Sequence, residues 1–172
     1  MKITLKLVLA IVAVALCSNI SAQTEKLAHI DRDELIISMP EYDSAMVKLQ
    51  KFVQELEVEL EAMNVERNKK FEDYSKNQDK WTELVRQSKA DELQGFNQRI
   101  QIFQEQAQEE IQQEQGRLMQ PILEKANKAI EAVAKEQGVT RVISANPQIL
   151  IYKAVGTLDL LPAVKQHLGI KK

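Results

Sequence analysis

The sequence predicts an α+β, mostly helical protein, in which a long antiparallel coiled-coil hairpin projects as an arm from a small β-rich body. Three observations carry this. Apolar residues keep a 3,4 spacing through the middle of the chain, from Met46 to Val133. Short β-branched runs lie outside that stretch, toward the chain ends. Gly and Pro number only 5 and 4 in 172 residues, too few for a loop-rich fold. The 44% apolar and 28% charged fractions exclude a disordered tail, and 5% aromatics is thin for a large globular core.

Residues 1–22 read as an address. Lys2 and Lys6 precede the apolar run Leu7–Cys17, and Ser18–Ala22 ends in a cleavage-type site before Gln23. The run is too short for an ordinary membrane span. Cys17 would suggest a lipid anchor, but Leu16 stands where a small residue is required. The mature chain then has no cysteine, so packing or self-association must hold it together.

Residues 23–45 and 137–172 are expected to form one discontinuous body. Lys26–Asp31 reads as a strand, and Asp31 with Glu34 as a capping box for a short helix. Ser38, Pro40 and Glu41 repeat the device, with Ser38 as the expected cap of the long helix. Gly138 marks a helix stop, and Arg141–Ser144 and Ile149–Lys153 read as strands. Asp159 is the expected cap of a last helix, with Pro162 in its first turn and Gly169 at its end. Three short strands offer too few apolar side chains to offset the entropy of ordering them. The body is therefore expected to be completed by copies of itself, with Leu27, Ile30, Val142, Ile143, Ile149, Ile151 and Tyr152 at the contact.

Residues 46–136 make the arm. The first track runs Met46, Leu49, Val53, Leu56, Leu60, Met63, continues through Arg67, Lys70, Tyr74 and Asn77, and reaches Trp81 and Leu84. The second runs Phe96, Ile100, Phe103, Ala107, Ile111, Leu118, Ile122, Ala126, Ala129, Val133. No Gly or Pro interrupts Glu41–Leu93. Ser88-Lys89-Ala90-Asp91 is a capping box near the midpoint, so the tip is expected near Arg86–Asp91. An unbroken helix would instead exceed about 100 Å. Pro121 should kink or break the second rod.

These segments together resemble the Skp/OmpH family of periplasmic chaperones. The resemblance rests on KLAHIDRDELIISMPEY, the long Glu/Gln/Lys-rich hairpin, and PILEKANKAIEAVAKEQGVTRVIS leading into ILIYK and DLLPAVKQHLGIKK. It implies a jellyfish-like homotrimer acting as an ATP-independent holdase. Unfolded outer-membrane β-barrel proteins would be held in a cavity between helical arms. It also implies weak contact with lipopolysaccharide or the membrane surface. The chain departs from the family in charge. Its net charge is -2, where well-known members are strongly basic. That balance also argues against nucleic acid as a partner. Residues 66–99 carry a net +1 and residues 100–136 a net -3.

Candidate client contacts are Val58, Ala62, Val65 and Ile102, which lie off the core tracks, and the large Phe71 and Trp81 toward the arm end. The alternatives are edges of an ordinary seam for the first four, and tip packing together with Tyr74 for the aromatics. The arm-end cations Lys69, Lys70, Lys76, Lys80, Arg86 and Lys89 read either as a solvated face or as steering charges. Arg67, Lys70 and Asn77 either loosen the arm or snorkel at its seam. No metal, cofactor or enzymatic site is expected: His29 and His167 lie far apart, Asp31 and Asp159 each precede a helix, and there is no phosphate loop or nucleophile motif. The rival function is a structural envelope adaptor that docks one folded partner through the coiled coil.

Overall fold

The computed structural model describes residues 25–146, 152 and 156–170. The expected leader, residues 1–22, and the expected strand residues Ile149 and Ile151 lie outside them. The element order is β1 (Leu27–Ile30), α1 (Arg32–Ile37), α2 (Pro40–Asn77), a 3-10 turn (Gln78–Lys80), α3 (Glu83–Glu136), β2 (Arg141–Ser144), β3 (Leu158–Asp159) and α4 (Leu161–His167).

The strands form a sheet in the order β2-β1-β3, with both pairs parallel. Parallel neighbours need a crossover, and between β1 and β2 that crossover contains the whole helical arm. Pairing continues past β1 and β2, where the Thr140 N–H donates to the Lys26 carbonyl at 2.9 Å and the Ala145 N–H to the Ile30 carbonyl at 2.8 Å. The register puts Ala28 opposite Val142 and Leu158, on one face of the sheet. Those residues share a core with Leu35 and Ile36 of α1, Ile122, Ala126, Ala129 and Val133 of α3, and Leu160 and Val164. Alanine at 126 and 129 leaves room for close approach, and the last turns of α3 are buried there.

The Asp31 cap forms as expected: the Glu34 N–H donates to Asp31 Oδ1 at 2.9 Å. Ser38 does not cap the long helix. It closes α1, where its Oγ donates to the Leu35 carbonyl at 2.7 Å. Met39 holds the N-cap position with an extended backbone (φ -81°, ψ 132°) and no side-chain cap. The cause is Pro40, because the residue before a proline is driven out of the helical region. Glu41 accordingly pairs with Lys125 instead of reaching back.

The hairpin is antiparallel. Its cross-helix ion pairs join residue 41 to 125 and 70 to 92, which centres the reversal near residue 82. The tip therefore lies at Gln78–Thr82, before the expected Arg86–Asp91. Trp81 (ψ 152°) and Thr82 (ψ 158°) are extended and break the helix. Ser88 sits inside α3, where a capping box cannot act because a cap needs a non-helical backbone. α2 has 38 residues and α3 has 54, or about 57 Å and 81 Å at 1.5 Å per residue. The surplus of α3 runs past the start of α2 into the body. α3 also runs through Pro121 without the expected break, although the Arg117 carbonyl loses its usual donor there.

The third strand is Leu158–Asp159. Of the expected strand Ile149–Lys153 only Tyr152 is among the described residues, and it is exposed and carries no strand pairing. Asp159 does cap, one residue early: the Leu161 N–H donates to its Oδ1 at 2.9 Å, while Leu160 holds the formal N-cap position. Gly169 ends α4 at φ +70°, a conformation that favours glycine.

Candidate functional site

The arm carries a long seam between α2 and α3, and that seam is open. Two helices alone cover each seam side chain on one side only. Leu49, Val53, Leu56, Leu60 and Met63 are half-buried, as are Phe103, Ala107, Ile111 and Leu118 across from them. Full burial occurs at Phe96 and Ile100 toward the tip and from Ile122 onward at the base. In the middle, Val53, Leu56 and Leu60 face Phe103, Ala107 and Ile111 across a groove of about 390 Å³, with Glu57, Gln104 and Gln108 on its rim. A second groove of about 580 Å³ opens at the arm base beside Pro121, lined by Ala45, Lys48, Arg117 and Ile122 among others.

Val58, Ala62 and Val65 are exposed, Val58 at 64%. Their i, i+4, i+7 spacing puts them on one helix face, away from the seam. Ile102 is exposed on α3. Phe71 is 62% exposed and does not pack into the tip. Trp81 does: its ring meets Tyr74 edge-on at 5.9 Å. Leu84, placed on the buried track by its spacing, is 81% exposed because the chain reverses before it. Val47 is a further exposed apolar residue on α2. Its distance of eleven residues from Val58, three helical turns, is the signal that puts it on the same face.

Most arm-end cations are committed to carboxylates. Lys70 reaches across the hairpin to Glu92 at 2.6 Å and along its own helix to Glu66 at 3.6 Å. Lys89 meets Glu92 at 3.0 Å, and Lys76 pairs with Glu72 and Arg86 with Glu83. Lys69 and Lys80 form no ion pair among the described residues; Lys80 donates to Asn77 at 3.2 Å. Hydrogen bonds from Lys70 and then Lys89 hold the Glu92 carboxyl down at about 2, and the same bond raises Lys70. Lys70 and Arg99 both stand over the buried Phe96 ring, at 5.8 and 4.8 Å from its centroid. Arg67 is half-buried at the seam and bonds Asn68, and Asn77 turns back to Asp73 at 2.8 Å. At the base, the hydrogen bond from Lys125 lowers Glu41.

The body candidates divide by face. Ile30 is buried in the chain's own core and Val142 packs against that core. Leu27, Ile143 and Tyr152 are exposed. His29, opposite Ile143 on the register, is buried, with Nε2 at 3.8 Å from Asp159 Oδ2. Among the described residues, no three His, Cys, Asp or Glu side chains are grouped to hold a metal ion. No described helix is long and apolar enough to cross a membrane.

A half-open helical hairpin standing on a small parallel sheet defines an arm-on-body scaffold. The chain matches the family model described as outer membrane protein (OmpH-like) over residues 26–168, and it belongs to that family. Among solved structures it is similar to a protein from Caulobacter crescentus CB15 described as an outer membrane chaperone (OmpH-like). The TM-score is 0.69 at 14% identity, with 86% of each chain covered. At that identity the likeness is one of fold. No curated protein matches the chain by sequence.

Proposed function

We propose that the protein is an ATP-independent holdase of the periplasm, which keeps unfolded outer-membrane β-barrel proteins from aggregating between the arms of a homotrimer. The observation that carries this reading is the seam of the arm. At Leu49, Val53, Leu56, Leu60 and Met63, and at Phe103, Ala107, Ile111 and Leu118, the seam side chains stay only partly buried because one hairpin cannot enclose them. Exposed apolar surface kept on a rigid support suits a holdase, since many weak contacts add through avidity. Val58, Ala62, Val65, Phe71 and Ile102 are further client contacts in this reading. Leu27, Ile143 and Tyr152, which the chain leaves exposed, join the copies at the body. Family membership and the fold of the Caulobacter protein support a chaperone role.

The test is a register-matched truncation that removes residues 50–114 and rejoins the helices with a short loop. The expected stump keeps a mass three times its chain by light scattering and no longer suppresses aggregation of a denatured barrel protein. Full protection by the stump would refute an arm-based mechanism. A full-length mass far from three chains would remove the trimer. A pull-down that yields one stoichiometric folded partner, with indifference to unfolded chains, would favour the adaptor.

A further inference from the structure

The charge of the arm is banded along its length. Residues 52–65 of α2 and 100–113 of α3 lie opposite each other in the hairpin register. Together they carry seven carboxylates (Glu55, Glu57, Glu59, Glu61, Glu105, Glu109 and Glu110) and no Lys or Arg. Only Glu55 has an ion-pair partner among the described residues, Lys51 at 3.8 Å. The bands on either side differ. Residues 66–99 carry eight basic and seven acidic residues, and the base (40–51 and 114–136) carries six of each. The mid-arm groove lies inside the acidic band. Its floor is apolar, and its rim holds the Glu57 carboxylate and the exposed amides of Gln104 and Gln108.

We infer that this groove docks segments of unfolded polypeptide that carry Lys or Arg among apolar side chains. The inference rests on the holdase reading and names the part of a client that the middle of the arm selects. Each feature of the segment has its counterpart. Apolar side chains cover Leu56, Leu60 and Phe103, which the hairpin leaves half-open. A cation meets a band in which only Glu55 has a cation of its own, so at the other six carboxylates the attraction is not offset by displacing an internal partner. A glutamine amide both donates and accepts, so Gln104 and Gln108 can bond the unpaired peptide groups of an extended chain. An acidic segment meets uncompensated repulsion at the same place.

The experiment uses the full mature chain and three fluorescent peptides of about 12 residues, each alternating leucine and serine, with paired lysines, aspartates or glutamines at the same positions. By fluorescence anisotropy at low salt, the lysine peptide should bind about tenfold more tightly than the aspartate peptide, with the glutamine peptide between them. The gap should close at about 0.5 M salt, where the screening length falls to a few ångströms. The triple variant Glu57→Gln, Glu61→Gln, Glu105→Gln changes only exposed positions and should abolish the preference. Ala107→Trp, which fills the groove floor, should weaken all three peptides, with helicity by circular dichroism confirming the fold. Equal affinity for the lysine and aspartate peptides, or a preference that survives the triple variant, overturns the inference. Suppression of barrel-protein aggregation is measured in parallel. Protection without any peptide preference removes the groove's selectivity and leaves the holdase reading. Peptide preference without protection removes the holdase reading and leaves the groove.

Discussion

The two ends of the arm and its middle are built differently. Each end is fastened. At the base, Glu41 pairs with Lys125 and the last turns of α3 sink into the body. Toward the tip, Lys70 bridges to Glu92 over a buried Phe96. The middle has neither device. Among the described residues no cross-helix ion pair joins 52–65 to 100–113, and the apolar side chains there are half-buried over an open groove. Stability and adaptability are thus separated along one pair of helices. The ends fix where the helices sit, while the middle keeps apolar surface that the chain has not consumed.

The separation predicts a descending series of effects. The largest belongs to the body. Leu35 is fully buried, so Leu35→Ala should cost about 2–5 kcal/mol, read as a loss in denaturation midpoint. Phe96→Ala at the distal fastening should come next, at about 3 kcal/mol, because it removes both the buried ring and the seat of two cations. Leu56→Ala in the middle should cost less, about 1–2 kcal/mol, since its side chain is only partly buried. A mid-arm loss as large as that of Leu35→Ala would break the comparison.

Acid sharpens it at the tip. The folded-state value for Glu92 lies below its ordinary one, so its contribution is present above the ordinary carboxylate range and is lost as pH falls from about 4.5 toward 2. Thermal unfolding across that window should show a larger acid loss for the native chain than for Glu92→Gln. Parallel acid curves would show that the Lys70 bridge contributes nothing. The smallest effect is a gain. Gly95 and Gly116 sit inside α3, and a methyl at either would meet nothing within 4 Å. Gly95→Ala and Gly116→Ala should each stabilise by up to about 1 kcal/mol in thermal melts.

The two seam tracks were legible in the sequence because helical spacing is a local property. Phe96, Ile100, Ile122, Ala126, Ala129 and Val133 were read from it and are buried. The Asp31 cap was legible for the same reason. The tip was not: Ser88-x-x-Asp91 is as good a cap in sequence as any the chain uses, and the break near Trp81 carries no Gly or Pro. The third strand was missed because a two-residue pairing at Leu158–Asp159 leaves no β-branched run to see. The acidic middle band is not legible along the chain, because its halves at 52–65 and 100–113 are separated in sequence by the whole arm tip. Only the register brings residues 52–65 beside 100–113.

What the amino-acid sequence determined alone is the set of local choices: where helices persist, which face of each is apolar, and which short runs extend. These depend on neighbours within a turn or two. What the tertiary structure decided is which distant residues meet. It placed the reversal at Gln78–Thr82, set 41 against 125 and 70 against 92, and left the middle of the seam half-covered. Pairing across some eighty residues of chain is chosen by the packing of whole faces, and no single residue along the way records it.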